Sequence, residues 1–343
     1  MPANNQFLQL NSPIVEIFTE LGERSNAEKM KWRKPNSRVS MLHATFKQFP
    51  IRHVPIMESN PGELKALISR VDYAAMMTPP IEKLPLDRLN EKEQKDVNDF
   101  IKNIAFQPIS NVFEKFFIGE TEKLYSTHSI LRDAIKKLSE SQVDKTNNIN
   151  RRYRTLPVFD DNKLLVGMLS YTNILRKIQE EQGCTPFRNK KLKEIFKAAE
   201  ELTTLAGDRT MTDAAMQLDG APFTHIPIMK ADNSRSVTGI VDDLIIARYQ
   251  HPLLVNCFEE LSLDEIKITV GEDNTVKDTD TVGDIIDKFL TITYPERPTA
   301  IVVCQKNNSG DFVLQGIVSY TDILKKFLSW KEGNTQPQSQ EKL

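Results

Sequence analysis

Apolar residues recur along this chain with the spacing of one-faced helices. The clearest stripe is Met211, Ala214, Ala215 and Leu218, at positions i, i+3, i+4 and i+7. The same spacing occurs in two other stretches: Leu131, Ala134, Ile135 and Leu138, and Val282, Ile285, Ile286 and Phe289. A weaker version surrounds Leu42 and Phe46. The pattern therefore predicts four related amphipathic helices.

A short strand rich in β-branched residues follows each predicted helix. The four strands read HVPIM from His53, TLPVFD from Thr155, HIPIM from His225 and AIVVCQ from Ala300. A polar turn comes next, and a second strand then leads directly into a second helix. Two of these junctions are nearly identical, LLVGMLSYTNILRKI and VLQGIVSYTDILKKF. This internal similarity predicts an α/β (α+β) protein built from four copies of a β-α-β-β-α unit.

The unit resembles the cystathionine-β-synthase (CBS) domain. The matching features are the (L/H)(I/V)PV-type strand, the Gly-h-h-Ser junction and the helix that follows it. The last copy, GIVSYTDILKKFL, is similar to the fourth repeat of the AMP-activated kinase gamma subunit. CBS domains pair through their apolar sheet faces into Bateman modules. The resemblance implies that repeats one and two form one module, that repeats three and four form the other, and that the two modules close into a flat disc with four ligand clefts.

The chain divides into these repeats and three further segments. The four repeats are expected at residues 28–80, 113–181, 190–250 and 262–331. Outside them lie an N-terminal arm (1–27), a charged insertion with helical character (81–112) and a polar tail (332–343) that we expect to be disordered. In the arm, Ser12 and Pro13 are suited to the start of a helix. With no separate catalytic-sized domain, we expect no enzyme.

Composition and charge narrow the class of protein. The chain has 343 residues, of which 39% are hydrophobic and 27% charged, as in soluble globular proteins. A net charge of −2 argues weakly against nucleic acid and gives no reason to expect an anionic membrane surface. We find neither a membrane-length apolar run nor a signal peptide, so we expect a cytoplasmic protein. The three cysteines and five histidines show no spacing typical of a metal or catalytic site.

Candidate chemistry lies at the start of the second helix in each repeat. In repeat four, Ser319, Thr321 and Asp322 place two hydroxyls and a carboxylate at a helix N-terminus, which favours anions. A carboxylate there can accept hydrogen bonds from both ribose hydroxyls. The resemblance implies that Asp322 binds ribose and that the hydroxyls bind ribose or phosphate. The alternative is a helix cap that contributes about 1 kcal/mol.

The other three junctions differ in chemistry. The corresponding residues are Ser69, Arg70 and Asp72 in repeat one, and Ser170, Thr172 and Asn173 in repeat two. Arg70 adds a phosphate partner, whereas the neutral Asn173 is a poorer clamp for a diol. In repeat three, Ile245 cannot bond a ribose and Asp242 would repel a phosphate. We expect the cleft of repeat three to be empty or changed in use.

The resemblance also implies phosphate anchors at the start of the first core strand. The residues there are Arg52 and His53, Arg154 and Thr155, Thr224 and His225, and Thr299 and Ala300. Three of the four positions carry a basic group, which suits an anionic ligand. The alternative is a polar residue at a strand edge. Repeat four lacks a basic anchor here, so its ligand's phosphates would be reached from another repeat.

The expected function is that of a regulatory protein. An adenosine-containing small molecule, with AMP, ADP or ATP foremost, would bind as a regulatory ligand rather than a catalytic cofactor. Binding would change the geometry of the modules and thereby control a partner protein. The alternative is a scaffold whose CBS clefts are degenerate. S-adenosylmethionine and cyclic dinucleotides also remain open as ligands, and a homodimer remains open as the assembly.

Overall fold

A computed structural model describes most of the chain. The described residues are 8–17, 19–20, 31–48, 53–59, 62–69, 72–73, 90–112, 124–126, 128–139, 142–144, 149–151, 154–218, 221, 223–232, 235–242, 245–246, 261–292 and 298–335. Within them, the fold is a mixed α/β structure of four related units. It contains small sheets with helices packed on one face of each, and no closed barrel occurs among these residues.

The elements follow the order that the hydrophobic pattern predicts. The helices are α1 (Ser40–Gln48), α2 (Glu91–Phe106), α3 (Ile109–Val112), α4 (Leu131–Ser139), α5 (Tyr171–Glu180), α6 (Thr185–Arg188), α7 (Met211–Leu218), α8 (Leu263–Ile266), α9 (Val282–Thr291) and α10 (Tyr320–Thr335). Short 3-10 helices cover Ile14–Glu16, Gln182–Cys184, Leu192–Glu194, Ala199–Glu201 and Glu272–Asn274. The strands are β1 (Thr19–Glu20), β2 (His53–Met57), β3 (Leu64–Ser69), β4 (Leu124–Tyr125), β5 (Gln142–Asp144), β6 (Ile149–Arg151), β7 (Thr155–Phe159), β8 (Leu165–Ser170), β9 (Lys197–Ala198), β10 (Leu205–Ala206), β11 (His225–Met229), β12 (Val237–Asp242), β13 (Ile268–Thr269), β14 (Thr275–Val276), β15 (Ala300–Lys306) and β16 (Phe312–Ser319).

The same hairpin occurs in all four repeats. Strands β2 and β3, β7 and β8, β11 and β12, and β15 and β16 pair antiparallel. Each pairing shifts register at one equivalent step, namely Ile56/Met57, Val158/Phe159, Ile228/Met229 and Val303/Cys304. In repeats two, three and four a short parallel strand, β4, β10 or β14, flanks the hairpin. A shared bulge at one position indicates a common origin for the four hairpins, because bulges are conserved features of a fold.

The segment before each first helix crosses over to the neighbouring repeat. Val282 N donates to Lys190 O at 3.0 Å, and Leu192 N donates to Asp280 O at 2.9 Å. Three other pairs of backbone hydrogen bonds have the same reciprocal form. Leu131 N donates to Ser12 O and Ile14 N to Ser129 O; Val39 N donates to Gln107 O and Ile109 N to Ser37 O. Likewise, Met211 N donates to Leu261 O and Leu263 N to Arg209 O. This exchange joins repeat one to repeat two, and repeat three to repeat four.

Strand exchange accompanies these crossovers. Strand β9, which opens repeat three, pairs with β16 of repeat four, and β13, which opens repeat four, pairs with β12 of repeat three. Strand β1 pairs with β8 in the same manner. The two hairpins of each pair also share a core: Val237 and Ile240 lie in one cluster with Val302 and Ile317. A second cluster joins the hairpins of repeats one and two, and contains Met57, Leu64, Leu67, Phe159, Leu165 and Met168.

The helices of repeats two and four pack together and form the largest core. Helix α4 contacts α10, and α5 contacts α9. The rings of Tyr171 and Tyr320 stack across this interface with their centroids 4.2 Å apart, and both residues are 3% exposed. Leu10 and Ile14 of the N-terminal arm are buried in the same core. This core therefore joins the two pairs of repeats.

The insertion has the predicted helical character, whereas the role predicted for Ser12 differs from the structure. The insertion contains α2, which packs on the core of repeat one through Phe100, Ile101 and Ile104. The last residues of the insertion form α3. Ile109 N at the start of α3 donates a hydrogen bond to Ser37 O, as Leu263 N donates to Arg209 O between repeats three and four. Ser12 does not cap the turn at Ile14–Glu16, since its hydroxyl accepts from Gln9 N instead.

Helix α10 continues to Thr335, past the expected end of repeat four at residue 331, and residues 336–343 lie outside the described part of the chain. Continuous backbone hydrogen bonding carries the helix through the polar stretch KEGNT. Among the described helices, none combines the length and the apolar character that crossing a lipid bilayer requires.

Candidate functional site

A cavity of about 380 Å³ lies where repeats two, three and four meet. Its lining comprises Leu138, Ser139, Arg154, Lys197, Glu201, Leu202, Thr203, Phe223, Thr224, His225, Ala300, Ile317, Ser319, Tyr320, Thr321, Asp322 and Lys325. This volume lies within the range of small-molecule sites in proteins, about 300–1,000 Å³. The mixture of apolar, hydroxyl and charged groups is also typical of such sites.

The three candidate residues of repeat four meet at one wall of this cavity. Strand β16 ends at Ser319 and runs directly into α10, so Ser319 takes the position of a helix cap. Its backbone N and its Oγ both donate to Asp322 Oδ2, at 2.8 and 2.5 Å, and its Oγ lies 2.7 Å from Thr321 Oγ1. Asp322 thus supports the helix start while its side chain also faces the cavity.

Hairpin register explains why the start of the first core strand faces the junction. The first strand residue lies opposite the junction residue in every repeat: His53 opposite Ser69, Thr155 opposite Ser170, His225 opposite Asp242 and Ala300 opposite Ser319. His225 Nε2 lies 2.5 Å from Thr299 Oγ1, which links repeats three and four at the edge of the cavity. His225 Nδ1 lies 3.0 Å from Thr224 Oγ1.

Arg154 reaches the cavity from a different repeat. It precedes β7 of repeat two, yet it lines the cavity together with Asp322 and His225. The residue is only 7% exposed, so its guanidinium is a largely desolvated cation at this site. A desolvated Arg forms strong, geometrically specific bonds to anions. The sequence predicts that a phosphate anchor for repeat four comes from another repeat, and Arg154 of repeat two lines the same cavity as Asp322.

A short segment of repeat three covers the cavity. Strand β9 pairs with β16 in the register Ala198 to Gly316 and Lys197 to Ile317. A Cβ atom at Gly316 would lie 2.2 Å from the carbonyl oxygen of Lys197 and 2.4 Å from the ring of Phe196. Glycine is therefore required here, because the covering segment lies directly on its Cα.

The Gly316→Ala variant is expected to lose about 1–3 kcal/mol of unfolding free energy, because the added methyl group forces β9 off β16. Gly333→Ala is the control: its new Cβ meets nothing within 4 Å and lies within α10, so a gain of about 0.5–1 kcal/mol is expected. Urea denaturation at equilibrium measures both. Equal stability of Gly316→Ala and the unchanged protein would show that β9 does not lie on this residue.

The junctions of repeats one and two are built in the same way but do not line this cavity. In repeat two, Ser170 N donates to Asn173 Oδ1 at 2.9 Å, and Ser170 Oγ lies 2.6 Å from Thr172 Oγ1. In repeat one, Ser69 N donates to Asp72 Oδ2 at 2.8 Å, and Asp72 N donates to Ser69 Oγ at 3.0 Å. His53 and Thr155 are half-buried at their strand starts. Arg52 and Arg70 lie outside the described residues.

A second, smaller cavity lies between repeats three and four and is mostly apolar. A cavity of about 60 Å³ is lined by Ile240, Ile268, Val270, Asn274, Ile292, Pro298, Ala300, Ile301 and Val302. Asn274 is engaged locally, since its Oδ1 accepts from Gly271 N and its Nδ2 donates to Thr269 O. Asp242 is 7% exposed, and its Oδ1 accepts from Ile245 N as a helix cap. These groups offer little to a ribose or a phosphate.

Sequence reasoning missed three charged residues of the larger cavity. Lys325 follows Asp322 by three positions and so lies on the same face of α10, a spacing that the sequence contains. Lys197 and Glu201 belong to the opening of repeat three, whose crossover to repeat four has no local sequence signal. Only strand exchange brings them to this site.

Comparisons with known proteins relate the chain to CBS domains. The family model described as CBS domain matches residues 123–180. No curated protein matches the sequence.

A solved structure with a TM-score above 0.5 covers nearly the whole chain. Protein MJ1225 from Methanocaldococcus jannaschii, described as a proposed archaeal homolog of g-AMPK, has 14% identity and a TM-score of 0.64, with 92% of this chain and 100% of that chain covered. An uncharacterized conserved protein from Pyrococcus horikoshii has 14% identity and a TM-score of 0.46, with coverages of 80% and 90%. CBS-pair protein CBSX2 from Arabidopsis thaliana has 15% identity and a TM-score of 0.33, and covers 42% of this chain and 98% of its own. The likeness to MJ1225 shows a common fold.

Proposed function

We propose that this chain, whose residues 123–180 match the CBS domain, is a regulatory protein that binds an adenine nucleotide in the cavity beside Asp322. The nucleotide acts as a regulatory ligand, with AMP, ADP and ATP as the first candidates. Because the cavity is lined by repeats from both pairs, an occupied cavity favours one arrangement of the two pairs over others. A partner protein in the cytoplasm responds to that arrangement.

The observation that carries this proposal is the chemical complementarity of one cavity to one class of molecule. Asp322 supplies a diol acceptor for ribose, and Ser319 and Thr321 supply hydroxyls. Arg154 supplies donors for phosphate, and Leu202 and Ile317 supply apolar surface for a base. Ile317 lies on β16. Leu202 lies in the segment of repeat three that follows β9, the strand paired with β16.

The charge of the lining also supports an anionic ligand. Arg154, Lys197 and Lys325 contribute three cations, against the two carboxylates of Glu201 and Asp322. The excess of positive charge favours a phosphate, and a largely desolvated Arg154 strengthens that preference.

A ligand panel tests the proposal directly. Isothermal titration and thermal shift with AMP, ADP, ATP, S-adenosylmethionine and cyclic dinucleotides should show binding of at least one adenine nucleotide. At a concentration 100 times its Kd, a ligand should stabilise the fold by about 2.7 kcal/mol. If no adenosine compound binds at millimolar concentration, the proposed function is wrong.

The Asp322→Asn variant is expected to bind AMP about tenfold or more weakly, because asparagine lacks the charge that strengthens bonds from the ribose hydroxyls. The fold should tolerate the change, since Asn173 makes the equivalent backbone and hydroxyl contacts to Ser170 in repeat two. Isothermal titration measures the affinity, and urea denaturation measures the stability, which should fall by no more than about 1 kcal/mol.

Asp284→Asn provides the matched control. Asp284 Oδ2 accepts from both the N and the Oγ1 of Thr281 at the start of α9, as Asp322 does from Ser319, but it lies outside the cavity. Hydrogen bonds from Thr281 lower the pKa of Asp284, which shows that the charged form is the favoured cap. This variant should lose similar stability and keep its affinity for AMP. Equal affinity of Asp322→Asn and the unchanged protein would mean that Asp322 acts only as a cap.

One observation favours a structural alternative. Asp322 Oδ2 accepts two hydrogen bonds from Ser319, which make a complete helix cap. Together with Asp242, whose Oδ1 accepts from Ile245 N in repeat three, this suits a scaffold with degenerate clefts. The ligand panel distinguishes the two functions, because a scaffold would show no thermal shift with any adenosine compound.

A further inference from the structure

The lining of the cavity beside Asp322 separates into regions of different chemistry. Ser319, Thr321 and Asp322 form a hydroxyl and carboxylate wall at the start of α10. Repeats two and three contribute Arg154, whose guanidinium is a donor, and the ring of His225, whose nitrogens contact Thr224 and Thr299. A third region, the segment 197–203, combines apolar and polar side chains and is the part that sequence reasoning did not anticipate.

This third region holds Glu201 in a defined place. On one side, β9 is paired to β16 and lies directly on Gly316. On the other, Leu202 N donates to Ala199 O at 3.2 Å, and Leu202 packs on the core between the hairpins of repeats three and four. Glu201 lies between these two anchors at the end of a 3-10 turn, and its side chain lines the cavity.

The carboxylate of Glu201 is available to a ligand. It is exposed, and within the described residues no hydrogen bond or ion pair engages it. A carboxylate offers only acceptors, and it repels a phosphate. Repulsion between Glu201 and a phosphate favours the pose in which the phosphate lies toward Arg154 and the base lies toward Glu201 and the apolar side chain of Leu202.

We propose that Glu201 selects the base by accepting a hydrogen bond from the exocyclic amino group of adenine. Adenine presents an amino donor at this position, whereas guanine and hypoxanthine present a carbonyl acceptor. A carboxylate facing a carbonyl brings two acceptors together and leaves both unpaired, which disfavours those bases. This specificity role rests on the proposed nucleotide function and names its substrate class as 6-aminopurine nucleotides.

The test compares AMP with IMP, which carries a carbonyl in place of the amino group, in isothermal titrations of the full chain. The unchanged protein should bind AMP at least about tenfold more tightly than IMP. Glu201→Gln weakens the acceptor for the amino group of AMP by removing its charge, and it adds a donor for the carbonyl of IMP. The AMP to IMP preference should therefore fall at least about tenfold, through weaker binding of AMP and tighter binding of IMP. Glu200→Gln, an exposed neighbour outside the cavity, is the control and should keep the full preference.

The outcomes separate this specificity role from the nucleotide function itself. If the unchanged protein binds AMP and Glu201→Gln retains the same AMP to IMP preference, Glu201 does not read the base and this inference is wrong, while the proposed function stands. A loss of AMP and IMP affinity in equal proportion would assign Glu201 to the ribose and would also overturn it. If the unchanged protein binds neither nucleotide, the proposed function fails, and the specificity role fails with it.

Discussion

Replacement of Phe327 by alanine is expected to lower the free energy of unfolding by about 3–5 kcal/mol, the cost of removing a fully buried aromatic ring. The ring is 0% exposed in the core shared by repeats two and four. It makes an edge contact with Phe187, with centroids 5.2 Å apart, and lies 5.8 Å from the ring of Trp330. Urea denaturation followed by circular dichroism measures the loss.

Met216→Ala is the control for this stability measurement. Met216 lies on α7 and is 71% exposed, so its truncation should change the unfolding free energy by no more than about 0.5 kcal/mol. A loss below about 1 kcal/mol for Phe327→Ala would contradict the large core between the helices of repeats two and four. The two pairs of repeats would then associate through other surfaces.

The Arg154→Met variant is expected to bind AMP about ten- to a hundredfold more weakly, since one charge-assisted hydrogen-bonding group contributes about 1.5–3 kcal/mol. Methionine keeps the apolar stem of the side chain and removes the guanidinium. Adenosine, which carries no phosphate, should bind the variant and the unchanged protein alike. Isothermal titration with both ligands separates an effect on the phosphate from an effect on the whole cavity.

Arg176→Met is the matched control, because Arg176 lies on α5 of the same repeat, is exposed and does not line the cavity. It should bind AMP and adenosine as the unchanged protein does. An equal loss of AMP and adenosine affinity in Arg154→Met would assign Arg154 to the shape of the cavity rather than to the phosphate. No loss for either ligand would remove Arg154 from the site.

Local elements of the fold could be read from the sequence because they depend on neighbouring residues. The stripes that begin at Leu131, Met211 and Val282 become α4, α7 and α9, each beginning at the predicted first residue. The β-branched runs at His53 and His225 become β2 and β11. Periodicity and propensity act over a few residues, so they indicate these elements without knowledge of the rest of the chain.

The ends of helices and the segments exchanged between repeats were harder to predict from the sequence. Helix α10 runs through polar residues to Thr335, where local composition favours disorder. Helix α3 lies in the expected insertion, yet its backbone binds Ser37 as Leu263 binds Arg209. Tertiary contacts stabilise the end of α10 and the short helix α3. Contacts between residues far apart in the chain leave no periodic pattern in the sequence.

The sequence by itself determined the repeating unit and the chemistry at its junctions. Ser319, Thr321 and Asp322 could be chosen because the spacing of a helix start brings them together. Only the tertiary structure decided that Arg154 of repeat two, Glu201 of repeat three and Asp322 of repeat four line one cavity. The physical reason is that strand exchange and the core between repeats two and four bring these three residues together. Both depend on contacts between residues that are far apart in the sequence.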